Sequence, residues 1–472
     1  MAAHASRGRA AAAAGLALLL AGCLAPPPAG GEEGVDLAEL PPAPEVPALS
    51  ALALYTGAVA FEPTIGATPD GVLYVSSLAK SLRAPDPSLR LLSRSRDGGL
   101  SWEDATPRVG GAAFPPTSGD PYVHVDRATG RVFVSDLQVL VCSTLSFSDD
   151  GQAWTHNPLG CGHPVGAQDH QTIFTSKPRL LPTLGYPNLV HYCVNRLADT
   201  ACAASADGGL TFGALRPLVY QGVSPSGFCS GLSGHGVASP EGILYLPRAH
   251  CGVPSVAISE DDGLTWTVVA IDKERVTGHH LNGIRDDEVS IGVADDGSVH
   301  ALWIAKDRKP YLASSFDGGR TWTPAVNVAP PDVGTAAFPA LAAGFGTIAA
   351  VYYGTAADKE YGAMNDEDAW HVYLARIEAE PGGVARVETM RANDPSDPMA
   401  RGVCGGSRCA ARERSGPIAG FDGAVGDFID IAIGPDGRPW AAVVDVCTGP
   451  CASGQAQNND AQGVVATWLA TG

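Results

Sequence analysis

The chain has 472 residues, 45% of them hydrophobic and 17% charged, which supplies a packed core and excludes wholesale disorder. Its 57 Gly and 37 Pro punctuate the sequence too often for long helices and predict many short strands. A net charge of −19 excludes nucleic acid and anionic membrane surfaces as general partners, and disfavours a strongly anionic polymer unless a local basic pocket offsets the field.

Arg7 and Arg9 precede the apolar run AAAAAGLALLLAG, which ends at Cys23. The run is too short to span a bilayer and has the length of a signal h-region. Leu20-Ala21-Gly22-Cys23 resembles the bacterial lipobox. That resemblance implies a signal peptide over 1–22, lipidation of Cys23, and membrane contact through that lipid only. An ordinary signal peptide with an incidental Cys is the alternative. Residue 24 is Leu rather than Asp, so nothing suggests inner-membrane retention, and the expected location is the outer membrane or cell surface. Residues 23–50 are rich in Pro, Ala and Gly and read as a tether.

From residue 51 onward one pattern recurs, Ser-x-Asp-x-Gly-x-(Thr/Ser)-Trp. It stands at Asp97 with Trp102, Asp261 with Trp266 and Asp317 with Trp322; Phe212 replaces the Trp after Asp207. A degenerate copy, Phe147/Asp149/Gly151/Trp154, lacks the leading Ser. The five aspartates are 52, 58, 54 and 56 residues apart. Each copy predicts a hairpin: Asp bonds amides just ahead, Gly takes the positive-φ position, and the aromatic ring packs back over the turn. The pattern resembles the Asp-box, or BNR repeat, of sialidase-like β-propellers. The resemblance implies an all-β propeller in which the repeat joins the third and fourth strands of a blade, peripheral and structural rather than catalytic.

A second series counts the blades. Alternating strands flank tight turns at Pro69-Asp70-Gly71, Ala128-Thr129-Gly130, Thr183 to Asn188, Pro240-Glu241-Gly242, Asp295-Asp296-Gly297, Gly344-Phe345-Gly346 and Pro435-Asp436-Gly437. Seven such hairpins predict seven blades; six, the number in true sialidases, is the alternative. The sixth blade, 335–393, has no Asp-box. The seventh, 426–472, supplies three strands, and residues 51–57 are placed to add the fourth and close the ring. Residues 394–425 read as an insertion.

Without Cys23, ten cysteines remain, and they fall as neighbours. Five local disulfides are expected: Cys142 with Cys161, Cys193 with Cys202, Cys229 with Cys251, Cys404 with Cys409, and Cys447 with Cys451. Metal binding by these cysteines is disfavoured, since no CxxC occurs.

Chemistry is sought where the first strands of the blades begin. Asp120, Asp287 and Asp427 each stand ten residues before a turn glycine, and Asp169 opens the matching strand of blade three. They predict a ring of carboxylates at one channel mouth, with His170, Arg285, Asp286 and Glu288 beside it. Three readings stay open for Asp120, Asp169, Asp287 and Asp427. They organise loops by bonding amides, they hold a cation such as Ca²⁺, or they act as general acid and base. His163, His235 and the pair His279-His280 are further polar candidates near these openings.

Sialidases grip a sugar carboxylate with an arginine triad whose first member lies in Phe-Arg-Ile-Pro. Here Phe61-Glu62-Pro63-Thr64 stands in that place, with an acid for the arginine. Arg179, Arg248 and Arg285 match no triad motif. Tyr352, Tyr353 and Tyr361 are nucleophile candidates by position only. The expected function is therefore a monomeric surface propeller that binds an extracellular glycan or protein at the channel mouth. The alternative is a glycan-active enzyme, a sialidase-like glycosidase or a lyase.

Overall fold

The computed structural model describes residues 49–76, 90–115, 119–138, 141–157, 168–196, 199–221, 223–224, 227–229, 232–277, 289–402, 425–455 and 461–470. The signal peptide, Cys23 and the tether up to residue 48 lie outside these residues. So do Cys161, Cys404, Cys409, His163, His279, His280, Arg285, Asp286, Asp287, Glu288 and residues 403–424 of the insertion.

Seven antiparallel sheets carry four strands each, arranged as blades around a channel. Their innermost strands are Thr64–Ala67, Tyr122–Val125, Gln168–Ser176, Val237–Ala238, Val289–Val293, Thr335–Gly344 and Asp430–Ile433. Each lies beside the next, and the last returns to the first. The ring therefore closes on itself. The seven-bladed all-β expectation holds, and six blades are excluded.

Closure depends on the two ends of the chain. Strand Leu49–Tyr55 pairs antiparallel with Gln462–Ala470 and completes blade 7 as its outermost strand. The Tyr55 hydroxyl donates to Asp445 Oδ2 at 2.6 Å, reaching across the intervening strand. The core lies between blades rather than within them. Tyr245, Val256 and Ile258 of blade 4 pack on Ile291 and Trp303 of blade 5, and Tyr353 and Leu374 of blade 6 on Ile431 and Val443 of blade 7. Blade 6 gains a short extra strand, Ala400–Arg401, from the start of the expected insertion.

The Asp-boxes join third and fourth strands, as the repeat implied. In the copy around Asp317, Ser315 Oγ donates to Asp317 Oδ1 at 2.8 Å and accepts from Gly319 N at 2.8 Å. Thr321 N and Thr321 Oγ1 then donate to the same carboxylate. Gly319 has φ +85°, a conformation that costs a side chain but not glycine. Burial opposes ionisation of Asp317, yet the bonds from Thr321 and Ser315 outweigh it and hold the carboxyl at about 2. Asp317→Ala should cost ~1 kcal/mol, a small fall in melting temperature by calorimetry, with ligand binding unchanged.

The second copy departs from the sequence expectation at both its acid and its ring. Its Asp-box acid is Asp150, not Asp149, because Ser148 Oγ donates to Asp150 Oδ1 and accepts from Gly151 N. Asp149 instead accepts two bonds from Arg131. The pairing of Asp149 with Trp154 is therefore corrected: Trp154 follows the working acid by four residues, where Trp102 and Trp322 follow theirs by five. The reason is that Ser148 and Asp150 keep their two-residue spacing while the turn beyond them is one residue shorter. Trp102 and Trp322 donate from Nε1 to the carbonyls of Gly99 and Gly319, at 3.0 and 3.1 Å, which pins each ring over its turn. Trp154 is half-buried and packs on the apolar core between blades 1 and 2, beside residues such as Tyr74, Leu92 and Val134.

Disulfides Cys193–Cys202, Cys229–Cys251 and Cys447–Cys451 form as expected. Cys142 is also disulfide-bonded.

Candidate functional site

A strand at the inner edge of a blade turns unpaired backbone groups toward the channel. Side chains of the neighbouring blade take up several of them. Asp430 Oδ2 accepts from Ile65 N at 3.1 Å, and Thr64 Oγ1 from Val123 N at 2.8 Å. Thr172 Oγ1 accepts from Gly236 N at 3.0 Å, and Ser290 Oγ from Leu341 N at 2.8 Å. These bonds fix one register around the ring: Thr64, Tyr122, Thr172, His235, Ser290, Ala340 and Asp430. Short oxygen-bearing side chains at that register stitch blade to blade. Tyr122 and His235 are too large for that contact, and their rings meet instead, 4.3 Å apart.

Aromatic rings cross the channel at the same level. Phe428 of blade 7 packs edge-on against His170 of blade 3 at 4.9 Å and His235 of blade 4 at 5.3 Å. Blade 7 faces blades 3 and 4 across a seven-membered ring, so these contacts span the channel. His170 stacks on His235 at 5.7 Å, and His235 Nδ1 lies 3.7 Å from Asp430 Oδ1. Phe428, His170 and Tyr122 are buried, whereas His235 and Asp430 keep 15% and 17% of their side chains exposed. Burial, reinforced by Asp430, pushes the Tyr122 hydroxyl above its ordinary pKa, so it stays protonated.

Beyond this aromatic layer lies a cavity of about 540 Å³ lined by all seven inner strands. Its end beside the aromatic layer carries Tyr122, His235, Ser290 and Asp430. Its walls include His124, Thr175, Ser176 and Asn188. Burial pushes His124 down to about 4, so its ring is neutral, and its Nε2 shares a 2.9 Å hydrogen bond with Thr175 Oγ1. At the far end the lining reaches Arg127, Ala128, Lys177, Pro240 and Asp295, all exposed. Arg127 sits over the Phe345 ring at 5.0 Å and donates to Ala343 O at 3.1 Å.

The carboxylates singled out by spacing lie on the other side of the aromatic layer, and none of those described lines the cavity. Asp120 Oδ2 accepts from His170 N at 2.8 Å, and its carbonyl accepts from Gln171 Nε2. Asp169 pairs with Asn195 at a bulge in the inner strand. The Asp427 amide donates to Glu62 Oε1 at 3.0 Å, joining blade 7 to blade 1. Counting back from turn glycines also misaligned them. The blade 2 turn is one residue longer, since Gly130 N bonds Asp126 O whereas Gly71 N bonds Thr68 O and Gly437 N bonds Gly434 O. Asp120 thus stands two residues before the stitching register, and Asp427 three. The residue Asp120 matches is Glu62, His170 or Phe338, and all four have positive φ, from 44° to 55°. Among the described residues, the group placed like metal ligands is Cys229, His250 and Cys251, and it contains a disulfide rather than ring carboxylates.

The arginine candidates are elsewhere. Arg179 bonds Glu260 O and Glu241 O at the periphery. Arg248 is buried in blade 4, bonded to Thr200 Oγ1 and set over the Tyr220 ring. Tyr352 and Tyr353 are fully buried in a strand of blade 6, and Tyr361 donates to Ala336 O. None of these lines the cavity. The residues sequence reasoning missed are Asp430, Tyr122 and His124. Their signal was present in the register rather than in a motif.

No protein-family model matches the chain. One stretch is similar to a sialidase from Micromonospora viridifaciens, 29% identical over 120 residues, which is 21% of this chain and 18% of that protein. The match thus spans under a fifth of the relative. The sheet topology itself shows a seven-bladed β-propeller. The chain is also similar to leech intramolecular trans-sialidase, with TM-score 0.40 and 14% identity over 87% of this chain and 68% of that one. Aleuria aurantia lectin gives TM-score 0.42 and 12% identity over 72% of this chain and 99% of that one. The fold assignment rests on sheet topology rather than on these likenesses.

Proposed function

We propose that the protein is an exported glycan-binding propeller that receives its ligand in the central channel, and that a lipid on Cys23 holds it at the cell surface. The observation that carries the reading is the cavity of about 540 Å³, bounded by every blade, with polar side chains set in a largely apolar lining and aromatic rings crossing the channel at one end. That size lies in the range of small-ligand pockets, ~300–1,000 Å³. Its disulfides suit an oxidising compartment. A glycan-active enzyme is the second reading, favoured by the His235–Asp430 pair on the cavity wall, an acid and a base within reach of one ligand. Sialic acid hydrolysis is disfavoured because Arg127, the arginine that lines the cavity among the described residues, is engaged at its rim. Purified protein should bind members of a glycan array and release no fluorophore from a fluorogenic sialoside. Robust sialoside turnover would replace the binding reading with the enzymatic one.

A further inference from the structure

We infer that the ligand enters through the face formed by the first-to-second-strand turns, opposite the mouth that carries Asp120 and Asp427, and that the cavity takes the uncharged, hydroxyl-rich end of a saccharide. This rests on the glycan-binding reading and sharpens it.

The direction follows from which end the aromatic rings cross. Contacts from Phe428 to His170 and His235 cross the channel above the cavity. Below it, Arg127 of blade 2 reaches across to Ala343 O and the Phe345 ring of blade 6, but that crossing is one exposed side chain, and Ala128 and Lys177 are exposed beside it, so solvent meets the cavity there. A saccharide entering that way reaches Asp430 and His235 last.

The class follows from the charges along that path. The deepest formal charge is the Asp430 carboxylate, with one oxygen bonded to Ile65 N and the other facing His235. A hydroxyl donates well to a carboxylate, and such charge-assisted bonds are about twice as strong as neutral ones. A sugar carboxylate or sulfate would set a second anion against Asp430, where low dielectric magnifies the repulsion. The cations Arg127 and Lys177 stand at the opposite end, too near the opening to neutralise an acid seated at depth. Thr175, Ser176 and Asn188 on the walls add hydroxyl and amide groups, which match sugar hydroxyls as both donors and acceptors.

The test is titration calorimetry of the full chain with neutral oligosaccharides taken from the array and with their sialylated or uronate-bearing counterparts. Neutral ligands should bind at least tenfold tighter. Ala128→Trp, at an exposed rim position, should weaken them at least tenfold, and Lys177→Trp should do the same from blade 3 if the first variant folds poorly. Asp120→Asn and Asp427→Asn should change affinity less than twofold. Tighter binding of the acidic series, or loss on Asp427→Asn with none on either rim variant, overturns this inference and leaves glycan binding standing. Binding of no saccharide at all overturns both.

Discussion

A chain lacking residues 49–56 should fail to keep its ring closed, melting on the order of 10 °C lower and self-associating in size-exclusion chromatography. Strand Leu49–Tyr55 contributes seven paired positions against Gln462–Ala470, and Thr56 N adds a bond to Gly463 O at 2.8 Å. Ala51 and Ala53 pack on the core shared by blades 6 and 7. Without that strand, QGVVATWLA becomes a bare edge with no charge, a ready template for pairing with another chain. The loss also reaches inward. Asp445 is 1% exposed and accepts from Tyr55 and from Cys447 N at 2.7 Å. Burial raises the Asp445 pKa, and these two bonds oppose that rise. Tyr55→Phe removes one of them while keeping the strand, and should cost ~1–3 kcal/mol, the usual effect of stripping a bond from a buried charge. A truncated chain that stays monomeric and melts with the parent would sink the closure argument.

The fold was legible because its signals are local and repeated. Ser95, Asp97, Gly99 and Trp102 specify one hairpin within eight residues, and recurrence did the rest. Where the copy was degenerate, spacing misled: measured from Trp154, the acid fell on Asp149, although Ser148 selects Asp150. Blade number followed from turns such as Pro69-Asp70-Gly71, which need no tertiary information. Even closure was readable, since blade 7 visibly lacked a strand and ALALYTG stood unused at the start. The site was less legible for two physical reasons. Position within an inner strand depends on turn length, and the one-residue longer turn at Gly130 moved Asp120 out of register with Asp427. A slip of one residue changes which way a side chain points. The second reason is that partners come from opposite blades. Phe428 meets His170 across some 250 residues of sequence, and nothing local to either predicts that rings cross the mouth. Asp430 looked like part of a strand, GDFIDIAIG, although it serves both the stitch to Ile65 and the end of the cavity. Arg285, Asp287 and Glu288, in the segment opening blade 5, lie outside the described residues.

Stability should fall steeply as pH drops from about 6.5 to about 4. His124, His191, His300 and His371 are all pushed down to about 4, chiefly by burial, from an ordinary 6.5. Their hydrogen bonds fit neutral rings. His191 Nε2 pairs with Ser176 Oγ at 2.8 Å, and His300 sits between Ser298 Oγ and Ser314 Oγ. The unfolded chain therefore binds protons in this window that the folded chain refuses. Stability is complete above about 6.5 and is lost as pH falls toward about 4. One pKa unit is ~1.4 kcal/mol and each ring falls from 6.5 to about 4, so four such histidines together amount to on the order of 10 kcal/mol. The Asp-box acids, exemplified by Asp317 at about 2, extend the loss below pH 4, again because the folded carboxyl resists protonation. Asp445, whose pKa is raised, works the other way but is one group against many. Urea melts at several pH values give the proton uptake on unfolding directly. Near pH 5 it should exceed one proton, and His191→Gln should lower it by up to about one, whatever the variant does to stability itself. A melting profile that stays flat between pH 7 and pH 5 would show that these histidines are not held neutral by the fold.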